Sequence, residues 1–154
     1  MEFAIGGVIV VGLLAGFFVF PRISRRIQRS DCSRAINRFG AQREQLEAKF
    51  IVLASSSNSP RGLRWKSCDW RSEVRFGRDR ESGLLTAFVG IEVGFEAVAG
   101  GDMEGVEAVS TIREAVAVFH YSRGRWGSGG RALFNMNPES AVARLGTQID
   151  PLES

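Results

Sequence analysis

Cys68 and His120 have the residue types best suited to nucleophilic chemistry in this chain. A histidine beside a cysteine can accept the thiol proton, and the positive charge of nearby Lys66 can lower the pKa of that thiol. Neither residue stands in a recognisable thiol-enzyme motif. We therefore expect His120 to be an ordinary strand histidine, and we predict no catalytic residue.

The composition does not favour a metal or cofactor site. One histidine and two cysteines, thirty-six residues apart, do not form the ligand cluster of a zinc site. The acidic loop 102–107 lacks the ligand spacing of a calcium loop, and the glycine-rich stretch 124–130 lacks the Gly-Lys-Ser/Thr ending of a P-loop. Glu92 and Glu96 lie about 13 Å apart along a strand, too far for joint acid–base catalysis. The sequence predicts neither a metal nor a cofactor.

Four aromatic side chains are candidates for lining an apolar ligand pocket. They are Trp65, Trp70, Phe95 and Phe119, and each falls on a segment with strand-like alternation. Large rings beneath a helix can enclose such a pocket. The alternative is that Trp65 belongs to the core and Trp70 covers it.

The elements that would position these side chains follow from two periodicities. Residues 31–54 carry apolar side chains at spacings of three and four, which predicts an amphipathic helix. After a serine-rich break at 55–61, the period changes to two across 62–148, which predicts an antiparallel sheet of about five strands and a short C-terminal helix. Residues 149–154 are predicted to be a tail. The predicted class is α+β, with an arrangement that is cystatin-like or nuclear-transport-factor-2-like by analogy.

The boundaries within this sheet are less regular. The first strand is expected to end near Trp70, with a charged hairpin loop at 78–83. The clearest strand covers 85–97, with its apolar side chains on one face and a more polar second face. A further strand is predicted from about 107 to 121. Asn137, followed by proline, is a strong start for the final helix.

A membrane anchor is predicted at the N-terminus. Residues 3–20 carry no charge and are long enough to cross the hydrocarbon layer as a helix, which gives an anchor over 1–21. The basic segment 22–30 follows, and under the positive-inside rule it keeps the soluble domain in the cytoplasm and the N-terminus outside. Its membrane-interface residues are Arg22, Arg25, Arg26 and Arg29.

The basic charge is confined to that segment. Residues 1–29 contain four arginines and one glutamate, whereas residues 30–154 contain sixteen basic and sixteen acidic residues. This distribution favours a bilayer with anionic headgroups as the partner and disfavours nucleic acid.

Self-association is a second expectation. Gly12 and Gly16 form a small-xxx-small pair, which lets two membrane helices approach closely. The helix 31–54 packs either on its own sheet or on a second chain as a short parallel coiled coil. The sequence leaves both arrangements open, with a homodimer or a membrane-protein partner as the consequence.

The soluble part resembles a group of small membrane-anchored proteins of unknown function from planctomycete-type bacteria. The resemblance runs from the segment 60–65, Pro-Arg-Gly-Leu-Arg-Trp, through 132–135, Ala-Leu-Phe-Asn. It implies a membrane-anchored protein and no particular activity.

Three functions are compatible with these features. The first is a membrane-anchored module for protein interaction or self-association. The second is a small-ligand-binding module with an apolar pocket under the helix. The third, least favoured, is an enzyme that uses Cys68 and His120.

Overall fold

The computed structural model describes residues 31–57 and 59–152. The chain divides into two compact units, 1–40 and 41–154, and the first is described only by its helical residues 31–40. The elements in chain order are α1 (31–57), β1 (Leu63–Asp79), β2 (Leu85–Ala97), a 3₁₀ turn (Glu107–Ser110), β3 (Arg113–Ser122), β4 (Arg125–Gly127), β5 (Ala132–Phe134), α2 (Pro138–Arg144) and β6 (Ile149–Leu152).

The strands form one antiparallel sheet in the order β4-β3-β2-β1-β6, with β5 pairing to the other half of β3. The predicted α+β class and the helix packed on an antiparallel sheet are confirmed. The described sheet has six strands where about five were predicted. The difference arises because residues 149–152, predicted to be a tail, pair with 76–79 of β1.

Strand β1 is longer than predicted. It continues through Trp70 to Asp79, whereas the sequence indicated an end near Trp70. Its register with β2 shifts between Trp65 and Ser67 and again between Trp70 and Val74. Each irregularity interrupts the alternation of apolar and polar residues in the sequence, although the strand itself continues.

Strand β2 lies in the middle of the sheet, and both of its faces are covered. One face, here called the aromatic face, carries Ala87, Val89, Ile91, Val93 and Phe95, all 3% exposed or less. The opposite face, here called the pocket face, was predicted to be more polar. Its first half is nevertheless buried, because α2 and β6 contact it.

The remainder of the pocket face is less completely buried, because Glu92 and Glu96 are only half-buried. There Glu92 pairs with Arg71, and Glu96 pairs with Arg64 at 2.8 Å. The two glutamates therefore form cross-strand ion pairs on this part of the sheet, with no joint acid–base arrangement.

Strand β3 begins later than predicted. The predicted strand start at about 107 is the 3₁₀ turn, and β3 itself starts at Arg113. Val109 of that turn is buried, whereas Ile112 is 60% exposed and lies just before the strand. Residues 115–119 are buried on both faces, as expected for a central strand.

The part of helix α1 from residue 41 onward covers the aromatic face. Its buried side chains are Leu46, Phe50 and Ala54, one turn apart on the same stripe. Phe50 meets rings from β1 and β3. This part of the helix therefore packs on the sheet of its own chain.

No helix among residues 31–57 and 59–152 is long and apolar enough to span a membrane. The predicted span at 3–20, with Gly12 and Gly16, lies outside the described residues. The predicted interface arginines, Arg22, Arg25, Arg26 and Arg29, lie outside them as well.

Candidate functional site

The four predicted pocket residues lie together on the aromatic face. Trp65 is 5.7 Å from Phe95, and Trp70 is 6.2 Å from Phe119, measured between ring centroids. Phe50 of α1 lies between them, with centroids 5.5 to 6.1 Å from Trp65, Trp70 and Phe119. Such edge-on and tilted contacts are those of a packed aromatic core. The rings fill the space beneath α1 with one another.

One polar atom is buried inside this cluster. The indole Nε1 of Trp65 has no hydrogen-bond acceptor among the described residues. The neighbouring rings of Phe50 and Phe95 are nearly perpendicular to the indole, an arrangement that permits weak N–H···π contact. Apart from this indole N–H, the centre of the aromatic face consists of apolar groups.

The structure separates Cys68 from His120. Cys68 pairs with Val93 near one end of β2, and His120 pairs with Thr86 near the other end. Seven residues of an extended strand span roughly 23 Å. The strand alternation also directs the two side chains to opposite faces. No Cys–His pair exists for catalysis.

The thiol of Cys68 is also held in its unreactive form. Burial raises its pKa to about 12, and the charges of Asp69 and Glu47 add to that shift. Lys66, which suggested the opposite shift, is exposed and does not offset the burial. A thiol with this pKa is almost entirely protonated at neutral pH, so it is a poor nucleophile.

His120 instead lines a pocket on the other face of the sheet, here called the His120 pocket. It has a volume of about 100 Å³ and lies between β1, β2, β3, the segment after β4, and the turn that joins α2 to β6. Its apolar wall contains Phe88, Val118, Leu133, Leu145 and Ile149, and its polar wall contains Asp79, Ser82, Thr86, His120, Arg131 and Gln148.

The local sequence after β5 explains the outer wall. Asn137 caps α2 by accepting a hydrogen bond from the Ser140 amide at 2.8 Å. At the other end of α2, the Leu145 carbonyl accepts from the amides of Gln148 and Ile149, both at 2.7 Å. This tight turn directs the chain back across the sheet and places Gln148 at the pocket.

Gly77 lets this wall approach β1 closely. A Cβ atom at Gly77 would lie 2.3 Å from Cγ2 of Ile149, too close for any other residue without movement. The Arg80 amide donates to the Gln148 carbonyl at 2.8 Å, and the Arg80 guanidinium pairs with Asp150 at 2.7 Å. The C-terminal strand is thereby held against the end of β1.

The polar groups of the pocket differ in how far they are satisfied. The Asp79 carboxylate accepts hydrogen bonds from the amide of Ser82 at 2.6 Å and from its hydroxyl at 2.7 Å, and these bonds lower the Asp79 pKa. His120 Nδ1 lies 3.2 Å from the hydroxyl of Thr86. In contrast, no described residue provides an acceptor for the Arg131 guanidinium or the Gln148 side-chain amide.

His120 is neutral at pH 7. Burial lowers its pKa below 6.5, the nearby Arg131 charge lowers it further, and Asp79 partly opposes both. When the Thr86 hydroxyl donates to Nδ1, the neutral ring carries its proton on Nε2 and keeps a donor available to a ligand. The pocket is therefore amphipathic, with spare hydrogen-bond donors.

Sequence reasoning identified His120 but not its surroundings. Thr86 comes from a strand, Arg131 from the end of a glycine-rich connection and Gln148 from the segment after the final predicted helix, and no motif links them. Within residues 31–57 and 59–152, no group of three His, Cys, Asp or Glu side chains is placed to hold a metal ion.

Comparison with protein-family models, with curated proteins and with solved structures found no match to this chain. The resemblance to planctomycete-type membrane-anchored proteins therefore stays a prediction. The assignment of a function rests on the residues and geometry of the pocket.

Proposed function

We propose that the described part of the chain is a small-ligand-binding module whose site is the His120 pocket. The observation that carries the proposal is the composition of this pocket. A buried apolar wall stands opposite polar side chains, and the donors of two of these, Arg131 and Gln148, have no acceptor among the described residues. Small-molecule sites in proteins combine mostly apolar walls with a few well-placed polar groups in this way.

The aromatic face supports this proposal because it holds the sheet together, so the side chains of the pocket face can serve another role. Phe50 and Phe119 are 0% exposed, so the core beneath α1 supplies a rigid support that does not depend on the pocket. The pocket also lies away from the predicted position under the helix. A second groove, of about 270 Å³, shares Asp79 and Gln148 with it.

A fragment screen of the full-length chain by ligand-observed NMR tests the proposal. Fragments are expected to bind the wild type and to lose binding in Leu145→Phe, which places a larger ring in the pocket wall. Val98→Phe is the matched control, because Val98 is 43% exposed and lies outside the pocket. Absence of any binding fragment, or equal binding to Leu145→Phe, would overturn the proposal.

A second candidate function is self-association through the open edge of β1. Among the described residues no strand pairs with the outer edge of 63–75, since β6 covers only 76–79. If two copies paired antiparallel about Trp70, Asp69 of each strand would lie opposite Arg71 of the other. Such a strand edge accepts a second copy through backbone hydrogen bonds.

Sedimentation of the full-length chain in detergent tests this candidate. A dimer is expected, and Asp69→Arg should weaken it because like charges would then face each other across the edge. Asp102→Arg, in the exposed loop before β3, is a control with the same charge change. A monomeric wild type would rule out this candidate at the concentrations used.

The predicted anchor completes the proposed picture. Residues 3–20 would hold the module at the cytoplasmic surface of a membrane, with the arginines that follow facing anionic headgroups. Alkaline extraction of membranes tests this placement. The full-length chain should stay in the membrane fraction, and recovery in the soluble fraction would contradict it.

A further inference from the structure

We infer that the His120 pocket selects a small organic anion, a short-chain carboxylate, and that binding it takes up a proton at His120. This inference rests on the proposed function and names its ligand class. The carboxylate would meet Arg131 and His120, and the hydrocarbon chain would lie against Leu133 and Leu145.

The preference for an anion follows from the balance of satisfied and unsatisfied groups. In the acidic group of the pocket, Asp79, one oxygen, Oδ1, accepts both hydrogen bonds from Ser82. The cationic group, Arg131, forms no ion pair with any described residue. A ligand rich in acceptors therefore gains hydrogen bonds from Arg131, whereas a cation at Oδ1 of Asp79 would have to compete with Ser82. Guanidinium–carboxylate bonds are among the strongest that a pocket of this kind offers.

The apolar wall restricts the kind of anion. Phe88, Val118 and Ile149 are at most 5% exposed, and inorganic phosphate would leave this surface without a partner. A cavity of about 150 Å³ holds benzene, so about 100 Å³ suits a hydrocarbon chain of roughly three or four carbons. Butyrate is a probe with these dimensions.

Proton uptake follows from the charges around His120. The charged groups that line the pocket with it are Asp79 from β1 and Arg131 from the segment before β5, and Thr86 from β2 is its hydrogen-bond partner. In the free protein, burial and Arg131 keep the ring neutral at pH 7. A bound carboxylate would offset the Arg131 charge and favour the charged ring, so its affinity should rise as the pH falls from 7.5 to 5.5. A carboxylate of ordinary pKa stays ionised over this range.

His120 is the only histidine of the chain, so its ring resonances report the test directly. The full-length chain without a histidine tag is titrated with butyrate and with butyramide, its neutral analogue, while the ring is followed by NMR. We expect binding of butyrate, at least tenfold weaker binding of butyramide, and a rise of the His120 pKa on saturation with butyrate only. Binding in the millimolar range is consistent with so few atoms.

Three outcomes separate this inference from the proposed function. If butyramide binds as well as butyrate, the pocket binds ligands but the anion inference is wrong. If butyrate binds without raising the His120 pKa, the proton uptake is wrong. If fragments bind in the screen and butyrate does not, the ligand class is wrong, whereas a screen without hits overturns the proposed function itself.

Arg131→Gln supplies the specific variant. Arg131 is exposed and in no described ion pair, so its replacement is expected to leave the fold intact while weakening butyrate binding about tenfold or more. Butyramide binding should not change. Arg125→Gln, an equally exposed arginine outside the pocket, is the control and should bind butyrate like the wild type. Equal butyrate binding by Arg131→Gln would overturn the assignment of Arg131.

Discussion

The two faces of one sheet are built on different principles. On the aromatic face, rings from α1, β1, β2, β3 and β5 meet at centroid distances of 5.5 to 6.3 Å. On the pocket face, α2 and β6 are short and cover only the first half of β2. The same strand, β2, thus supplies a dense core on one side and a partly open site on the other.

The difference shows how side-chain size and helix length determine whether a face of the sheet is filled or contains a pocket. A long helix with phenylalanine on its buried stripe closes the aromatic face, because large rings fill the gap between helix and sheet. Helix α2 has seven residues and buries Pro138 and Ala141. Small side chains on a short helix cannot fill the corresponding space near His120, and a pocket results.

Removal of the central ring of the aromatic face should lower the free energy of unfolding more than any other change proposed here. Phe50→Ala is expected to lower the free energy of unfolding by about 3–5 kcal/mol, because Phe50 is fully buried among three other rings. Urea denaturation measures the change. Val52→Ala is the control on the same helix: Val52 is 68% exposed, and its replacement should cost less than about 0.5 kcal/mol. Equal costs would mean that the ring cluster does not hold the fold together.

A second change acts where the two faces are joined. Gly130 has φ +74°, and a Cβ atom there would lie 2.7 Å from the backbone of Leu53 and Ala54 in α1, while the next residue, Arg131, lines the pocket. Gly130→Ala should therefore cost about 2–4 kcal/mol through strain and helix displacement.

The adjacent glycine provides the control for this change. Gly129 has no heavy atom within 4 Å of an added Cβ, so Gly129→Ala should change the unfolding free energy by about 0.5 kcal/mol or less. Thermal or urea unfolding of both variants distinguishes them. If Gly130→Ala were as stable as Gly129→Ala, the close contact between this connection and α1 would not exist.

On the pocket face, a smaller effect is expected in the pH dependence of stability that arises from His120. Because the His120 pKa is lowered in the folded protein, the unfolded chain binds more protons between that value and about 6.5. Stability from this residue is complete above about pH 6.5 and is lost as the pH falls towards the folded pKa. His120→Gln should remove this part of the pH dependence, as measured by denaturation at pH 5 to 8. An unchanged pH profile in the variant would show that His120 is not buried as described.

The sequence predicted the elements whose buried side chains recur with a regular helix or strand period. Helix α1 and strand β2 were recognised because helix and strand periodicity determine which side chains reach the core. The class of the fold followed from those two elements and the short hairpins. The predicted pocket residues Trp65, Trp70, Phe95 and Phe119 share one face of the sheet, and there they pack on one another.

The pocket depends on contacts that no local pattern encodes. Strand β6 has four residues, one of them Pro151, and it is defined only by its pairing with β1 about seventy residues earlier. The pKa of the Cys68 thiol could not be read from its neighbours for a related reason: Lys66 is close in sequence, but burial determines the thiol pKa. Long-range pairing and burial are therefore the quantities that sequence reasoning lacked.

The position of β6 has a consequence during synthesis of the chain. The ribosome makes α1 and strands β1 to β5 before residues 145–149, so the aromatic face has all its parts while the pocket wall is still absent. A nascent chain that has reached Phe134 would be able to form its main core, yet it would acquire a binding site only when the last strand closes over Gly77.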